Sequence, residues 1–295
     1  MLYTVKHTTV YTYTDQVPFC HNLAILSPRN TSSQECREFQ LDITPVPEIV
    51  EEYDDFFGNK VYYFVVEQEH KELMVTASSV IESTSPEWKR SGISELSWEL
   101  VRNSLGTGIV GDAVDAAIRQ YTFTMEITEA TPSIKDYAQR SFTPGRSLYE
   151  ATLELTGRIY KDFKYTSGFT TVSTPLSVVM QEKKGVCQDF AHLAIACLQS
   201  MGLAARYVSG YLETLPPPGK PKLVGSDASH AWISVYIPGM GWVDFDPTNN
   251  KHPDEQYITI GWGRNYFDVV PLRGIIQSSH KHELDVSVDV TRLSE

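Results

Sequence analysis

The chain has 295 residues, of which 41% are hydrophobic and 21% are charged, and this composition predicts a globular protein with a substantial buried core and excludes a disordered chain. Its 25 basic and 37 acidic side chains give a net charge of −12. Because the sequence also contains no run of basic residues, nucleic acid and anionic membrane surfaces are not expected as partners.

The N-terminus and the cysteines bear on the compartment. Residues 1–7 contain no apolar stretch of the length that a signal peptide needs, and no apolar run approaches the roughly 20 residues of a membrane span. The four cysteines, at positions 20, 36, 187 and 197, are too few and too scattered for a disulfide framework. We therefore expect a cytoplasmic protein with free thiols.

Residues 1–83 have the pattern of β structure. The segment 60–66 is dense in β-branched and aromatic residues and follows a turn signal at Gly58-Asn59. A second strand is expected over 73–81. Because no helical periodicity interrupts this region, it predicts an all-β, sandwich-like N-terminal domain over residues 1–83.

The pattern becomes helical after residue 83. Helical spacing over 93–105 and 133–142 predicts a helical connector that occupies residues 84–146. The next helix opens with a capping box, in which Ser147 is the N-cap and Glu150 follows three residues later. This helix begins the third predicted unit, residues 147–295.

The third unit is expected to be the catalytic core, with a strand at its C-terminal end. From Cys187 to Met201 apolar residues occur on most faces of a helix, and Gly202 follows as a C-terminal cap, so we expect a helix buried at the centre of the core. Strand-like segments follow at 205–212, 231–237 and 242–246. The predicted class is α+β, with a central helix packed on an antiparallel sheet.

A thiol, an imidazole and a carboxylate occur in this order at Cys187, His230 and Asp246. A thiol nucleophile needs a base that takes its proton and a carboxylate that orients the base. Cys187 is expected in the first turn of its helix, after a sharp turn at Gly185, where unpaired amides favour the thiolate. The amide of Cys187 is also a candidate oxyanion-hole donor.

His230 and Asp246 are predicted on two strands joined by a hairpin at residues 238–241, with His230 at the start of one strand and Asp246 at the end of the other. Asp244 is an alternative carboxylate, because side-chain alternation puts it on the same face as Asp246. Its position nearer the turn places it away from His230, which favours Asp246.

Ordinary structural roles compete with these assignments. Cys197 lies in mid-helix among apolar neighbours, which predicts a core residue. Asp189 and His192 are three residues apart, the spacing of a structural ion pair on a helix, and His192 is a weaker alternative base. A zinc site built from Cys187, His192 and His230 is disfavoured, because the sequence has no Cys-x-x-Cys or His-Glu-x-x-His pattern. No metal or cofactor is expected.

With these residues in hand, the chain resembles bacterial members of the transglutaminase-like superfamily, whose core is similar to that of papain-type cysteine proteases. The resemblance rests on four blocks of sequence: Gly185-Val186-Cys187-Gln188-Asp189-Phe190-Ala191-His192, Ala205-Arg206-Tyr207-Val208-Ser209-Gly210-Tyr211, Asp246-Pro247-Thr248-Asn249 and Asn265-Tyr266-Phe267-Asp268-Val269-Val270-Pro271-Leu272-Arg273-Gly274. It covers residues 150–275 closely and the N-terminal region loosely.

The resemblance implies that Cys187 is the nucleophile, His230 the base and Asp246 the orienting acid. Animal members depend on calcium, but this sequence has no Asp-rich loop that would carry such a site over. The implied substrate is a peptide or protein amide, which the thiolate converts to a thioester. Hydrolysis of that thioester makes a peptidase or amidase, whereas transfer to an amine makes a transglutaminase. A non-catalytic binding module is the remaining alternative.

Overall fold

The computed structural model describes residues 1–90, 92–107, 114–214, 229–276 and 281–293. Its architecture is α+β: two antiparallel sheets formed largely by the N-terminal third are followed by a helical region and then by a third antiparallel sheet. The predicted fold class is confirmed. No helix among the described residues is long and apolar enough to cross a membrane.

The N-terminal third consists of strands: β1 (Leu2–Val17), β2 (Cys20–Ala24), β3 (Gln34–Thr44), β4 (Ile49–Asp54), β5 (Lys60–Val66) and β6 (His70–Ser83). The two predicted strands lie in β5 and β6. In β6, Leu73, Val75 and Ala77 are buried, and the residues between them are more exposed. This period of two directs one face of the strand into the core.

The middle of the chain is mainly helical. Its elements are α1 (Trp98–Thr107), α2 (Val114–Arg119), α3 (Pro132–Gln139), α4 (Leu148–Asp162), α5 (Leu176–Glu182) and α6 (Cys187–Ser200), with the short parallel strands β7 (Lys164–Tyr165) and β8 (Lys184–Gly185). Short 3₁₀ turns lie at Glu87–Arg90, Gln120–Thr122 and Glu126–Thr128. Helix α4 begins at the predicted cap, where Ser147 Oγ accepts a hydrogen bond from the Glu150 amide at 3.2 Å.

Helix α6 packs on a four-stranded antiparallel sheet in the order β11-β10-β9-β12, formed by β9 (Ala205–Leu212), β10 (Ser229–Ile237), β11 (Gly241–Phe245) and β12 (Tyr257–Gly263). Alternate residues of this sheet, such as Tyr207, Ile233 and Phe245, belong to the same buried hydrophobic cluster as the helix. Their neighbours along the strands point to the opposite face of the sheet. The predicted central helix on an antiparallel sheet is confirmed.

The last two strands return to the N-terminal sheets. Strand β13 (Leu272–Ile276) pairs with β2, and β14 (His282–Arg292) pairs with β1. The two N-terminal sheets therefore have the orders β14-β1-β6-β3 and β13-β2-β5-β4. The sequence assigned both strands to the unit 147–295, because pairing between distant segments leaves no mark on local periodicity. The domain boundaries themselves stay a prediction.

Two buried amide side chains of the N-terminal region form hydrogen bonds with the core sheet. Gln34 donates to the Thr259 carbonyl and accepts from the Thr259 amide, both at 2.8 Å. Asn59 makes the same pair of bonds with the backbone of Trp262, at 2.9 and 3.0 Å. These side chains satisfy backbone groups on the outer edge of β12, which would otherwise lack a strand partner.

Candidate active site

Cys187 is the first residue of α6. The preceding residue, Val186, is the N-cap with extended backbone, and its amide donates to Asp189 Oδ2 at 2.8 Å. This bond from the third helical residue back to the cap fixes the entry into the helix. Cys187 is partly buried, and the amides of its turn have no partner within the helix. The structure therefore gives Cys187 the helix-end position that the sequence predicted.

Gly185 is required for a different reason than the one predicted. Its φ does not lie in the left-handed region, whereas Lys183 adopts a left-handed φ of 53° at the end of α5. A Cβ atom on Gly185 would lie 2.9 Å from both Cβ and Oδ2 of Asp189. The glycine is needed because the Asp189 side chain approaches the backbone, so the predicted sharp turn at Gly185 is wrong.

His230 and Asp246 form a hydrogen-bonded pair, with 2.8 Å between His230 Nε2 and Asp246 Oδ2. The hairpin register, in which Ile233 pairs with Phe245, brings the start of β10 beside the residue that follows β11. Burial alone would lower the pKa of His230, but hydrogen bonds with Asp246 and Cys187 raise it to about 10. The imidazole therefore lies between the carboxylate and the thiol, and it carries a proton at neutral pH.

Asp246 is buried and surrounded by hydrogen-bond donors. Tyr257 Oη and Asn249 Nδ2 each donate to its Oδ2 at 2.7 Å. The amides of Thr248 and Asn249 donate to its Oδ1 at 2.8 and 3.2 Å. Burial would raise the pKa of Asp246, but the bonds from His230, Tyr257 and Asn249 outweigh it and lower the pKa. The carboxylate therefore stays ionised beside the imidazole.

Asp244 faces a different set of neighbours. Its Oδ2 accepts a hydrogen bond from Trp232 Nε1 at 3.2 Å, and burial raises its pKa despite the nearby Arg206 guanidinium. It makes no hydrogen bond with His230 among the described contacts. Of the two carboxylates that the sequence left open, the structure brings Asp246 to His230.

The predicted ion pair between Asp189 and His192 is wrong. Asp189 accepts bonds from Thr170 Oγ1 at 2.6 Å and from the Val186 amide. His192 is buried, its Nε2 accepts from the Tyr266 amide at 3.1 Å, and burial lowers its pKa to about 3. Tertiary partners thus replace the pairing that the helical spacing allowed, and His192 is a neutral acceptor that makes no hydrogen bond with Cys187 among the described contacts.

Sequence reasoning missed the donors that surround Asp246. Asn249 follows Asp246 closely and is part of the quoted Asp246-Pro247-Thr248-Asn249 block, so its proximity was available as a signal. Tyr257 lies on β12 beyond a loop, and no sequence feature connected it to the carboxylate. Within the described part of the chain, no cluster of three or more His, Cys, Asp or Glu side chains could hold a metal ion.

The comparisons with known proteins agree with this geometry. Residues 3–82 match the bacterial transglutaminase-like N-terminal region, and residues 135–247 match the transglutaminase-like superfamily. The chain is 42% identical to an uncharacterized protein of Mycobacterium tuberculosis, over 98% of this chain and 92% of that protein. A segment of 73 residues, 24% of this chain, is 34% identical to 11% of a protein-glutamine gamma-glutamyltransferase of Pseudomonas aeruginosa.

Among solved structures, a candidate cysteine protease of Cytophaga hutchinsonii has the same fold, with a TM-score of 0.74 and 21% identity over 100% of this chain and 92% of that chain. The fold is therefore that of proteins with a transglutaminase-like core, which is similar to the papain fold. The chain belongs to the transglutaminase-like superfamily and carries a bacterial transglutaminase-like N-terminal region.

Proposed function

We propose that the protein is a cysteine-dependent acyl-transfer enzyme that hydrolyses peptide or side-chain amides. The observation that carries this proposal is the arrangement of His230, whose Nε2 lies 2.8 Å from Asp246 Oδ2 and whose ring also interacts with the thiol of Cys187. Cys187 is the nucleophile, His230 the general acid and base, and Asp246 the group that orients the imidazole.

In the proposed reaction the Cys187 thiolate attacks the amide carbonyl carbon. The carbonyl oxygen becomes an oxyanion, which the Cys187 amide at the start of α6 stabilises. The His230 imidazolium gives its proton to the departing amine, the carbon–nitrogen bond breaks, and a thioester remains. Neutral His230 then takes a proton from water, which attacks the thioester and releases the acid and the thiolate.

Asp246 acts by staying ionised. Its bonds from Tyr257, Asn249 and two backbone amides hold the carboxylate in one orientation, and the bond to Nε2 leaves the other nitrogen of His230, Nδ1, for the interaction with Cys187. The same bond stabilises the imidazolium that donates to the leaving amine. We propose no metal or cofactor in the reaction.

A transglutaminase is the second candidate, in which an amine replaces water as the acceptor. The local identity with the protein-glutamine gamma-glutamyltransferase of Pseudomonas aeruginosa favours it. Both activities use the same three residues and the same thioester, and they differ only in what resolves it. Hydrolysis remains our choice, because water is always present, whereas transfer needs a site that favours an amine over water.

The first experiment tests whether the three residues form a reactive unit. The rate at which iodoacetamide alkylates Cys187 is measured by peptide mass spectrometry from pH 5 to pH 10, in wild type and in His230→Ala. We expect fast alkylation well below pH 7 that is lost in the variant, because the imidazolium stabilises the thiolate. A midpoint near the ordinary thiol pKa of about 8.5 in both proteins would contradict the enzyme proposal and support a binding module.

A second experiment separates hydrolysis from transfer. A glutamine-containing protein substrate is incubated with the enzyme and a fluorescent primary amine, and its peptides are analysed by mass spectrometry. Cleaved peptides or glutamate in place of glutamine indicate hydrolysis, whereas covalent incorporation of the amine indicates transfer. Cys187→Ala is the matched control, and activity that persists in this variant would contradict the proposed role of Cys187 as the nucleophile.

We also propose a cytoplasmic location for the protein, which is consistent with a free thiol at Cys187.

A further inference from the structure

The face of the core sheet that points away from α6 forms part of a cavity that the proposed reaction does not use. The cavity has a volume of about 630 Å³ and lies between this sheet, the segment 31–33 of the N-terminal region and the segment 86–88 that follows β6. Its walls include the apolar side chains of Trp88, Val208, Trp242 and Trp262. The lining also includes the charged residues Glu87, Arg206 and Asp244. A cavity of this size, with aromatic walls and polar groups that fix a ligand's orientation, has the dimensions of a small-molecule site.

A buried guanidinium with free donors is the first of those polar groups. Arg206 is 9% exposed and lies between two aromatic rings, 3.7 Å from the centre of Trp262 and 4.3 Å from that of Trp242. Its Nε is buried without a partner, and none of the described residues accepts a hydrogen bond from its guanidinium. Buried charged groups are normally hydrogen-bonded, so these donors require an acceptor.

Arg29 shows the contrast on the other side of the same ring. Its guanidinium also lies 3.7 Å from the centre of Trp262, but its Nη1 donates to the Phe57 carbonyl at 3.0 Å and to Asn59 Oδ1 at 2.7 Å. Arg29 Nη1 thus has protein acceptors, although its Nε is buried without one, and the side chain connects the N-terminal region to the core sheet. Arg206 has the same stacking without the acceptors.

Asp244 supplies an opposite charge in the same cavity. The sheet register puts Arg206 and Asp244 on either side of Ser234, on the two strands that flank β10, so their backbones lie about 10 Å apart. No ion pair joins them among the described contacts. Arg206 lacks an acceptor among the described residues, whereas Asp244 Oδ2 accepts a hydrogen bond from Trp232 Nε1 at 3.2 Å but has no cation at ion-pair distance there. A simple anion would satisfy the first and be repelled by the second.

We propose that this cavity binds a free α-amino acid, with its carboxylate on the Arg206 guanidinium and its ammonium group on the Asp244 carboxylate. The two charges of the ligand span the gap between the two side chains, and its side chain lies against the tryptophan rings. The aromatic walls also favour the ammonium group, because their faces attract cations. This site is separate from Cys187 and does not depend on the proposed function.

The test is calorimetric titration of protein whose Cys187 has first been blocked with iodoacetamide. L-alanine and L-glutamine are the probes, and acetate and methylammonium chloride are single-charge controls. We expect one amino acid bound per chain, and binding about tenfold weaker or worse for each control, because each control loses one charge-assisted hydrogen-bond partner. Binding to the blocked protein separates this site from the reactive one, so either proposal can fail without the other.

Three variants locate the site. Asp244→Asn keeps the shape of the side chain, Arg206→Lys keeps the charge but loses the planar fork, and Ser32→Trp fills the entrance from an exposed position. Each should weaken binding about tenfold or more, because each removes one charge-assisted contact or blocks access. Where a buried variant fails to fold by circular dichroism, Ser32→Trp still tests the site. Absence of amino acid binding, equal binding of acetate, or unchanged binding in all folded variants would overturn the proposal.

Discussion

Helix α6 carries two cysteines in different surroundings, Cys187 at its N-terminus and Cys197 in its middle. Cys187 is partly buried and interacts with the His230 imidazole. Cys197 is completely buried, with its Sγ 3.8 Å from the Ile134 carbonyl, and burial raises its pKa to about 12. At the N-terminus of the helix the cysteine thus contacts a group that can activate it, whereas in the middle of the helix the cysteine is a core packing residue.

The two histidines of this region differ in the same way. Burial lowers the pKa of His192 to about 3, and no charged group among the described residues offsets the loss of solvent. His230 is also buried, but its bonds with Asp246 and Cys187 raise its pKa to about 10. Burial alone therefore makes a thiol or an imidazole unreactive, whereas burial beside an ionised partner keeps an imidazole charged.

The largest expected effect is the selectivity of alkylation between the two cysteines. At pH 7, a pKa of about 12 leaves Cys197 with about one thiolate in 100,000 molecules, whereas even an unperturbed thiol has about 3%. We expect iodoacetamide to modify Cys187 at least about 1,000-fold faster than Cys197, measured by peptide mass spectrometry. In guanidinium chloride the two rates should become similar. Comparable alkylation rates of Cys187 and Cys197 in the folded protein would contradict the proposed difference in reactivity between the two thiols.

Removing the charge of Asp246 should make Cys187 less reactive toward iodoacetamide. In Asp246→Asn, His230 loses its ionised partner, so the imidazolium loses the interaction with Asp246 that raises its pKa. The imidazolium then stabilises the Cys187 thiolate less, and we expect alkylation of Cys187 at pH 6 to slow about 100-fold. Asp42→Asn, which changes an exposed carboxylate on β3, is the matched control. An unchanged rate in Asp246→Asn would contradict the proposed role.

The buried, neutral state of His192 predicts a loss of stability in acid. The pKa of His192 is about 3 in the folded protein and 6.5 in the unfolded chain. Between these pH values His192 is protonated in the unfolded chain but neutral in the folded protein. Stability is therefore lost as the pH falls from 6.5 toward 3. Between pH 7.5 and pH 5, wild type should lose about 2 kcal/mol more free energy of unfolding than His192→Gln.

Glutamine suits this experiment because its side-chain oxygen can accept the Tyr266 amide hydrogen bond that His192 accepts in wild type. Other groups that titrate in acid, such as the buried His7 with a pKa lowered to about 4, act equally in both proteins and cancel in the difference. Denaturant unfolding at the two pH values gives the free energies. Equal losses in both proteins would mean that His192 is protonated in the folded state.

Local sequence pattern was sufficient for the elements that carry the site. Apolar residues on most faces of the segment predicted that α6 is a buried helix. Cys187 precedes these apolar residues, which predicted its position at the start of the helix. The predicted hairpin placed His230 near Asp246. The cap at Ser147 and the strands in β5 and β6 followed from equally local signals. Each of these features depends on residues within about one element of each other, which is the range over which periodicity and turn chemistry act.

The features that the sequence did not reveal depend on contacts between distant segments. The pairing of β14 with β1 joins the two ends of the chain, and nothing within 282–292 identifies its partner. The spacing of Asp189 and His192 allowed an ion pair, but Thr170 and the Tyr266 backbone bind them instead. The catalytic roles of Cys187, His230 and Asp246 stay predictions until reactivity is measured.

The smallest expected effect concerns Tyr257, the residue near Asp246 that the sequence did not indicate. Tyr257→Phe removes the 2.7 Å hydrogen bond from Oη to Asp246 Oδ2 but keeps the ring, which lies 5.9 Å from that of His230. Asn249 and two backbone amides still hold the carboxylate, so its pKa should rise only partly. We expect alkylation of Cys187 at pH 6 to slow only about threefold, because the remaining donors keep Asp246 ionised and only part of the lost bond energy reaches the imidazolium.

Tyr160→Phe, which removes a hydroxyl from an exposed ring on α4, is the control and should leave the rate unchanged. A loss in Tyr257→Phe as large as that in Asp246→Asn would mean that this hydroxyl alone keeps the carboxylate ionised, and the shared role of the donors would be wrong. A small loss would show instead that the difference between Cys187 and Cys197 depends on a set of bonds, each of which contributes only a part, because the remaining donors still stabilise the charge of Asp246 when one is removed.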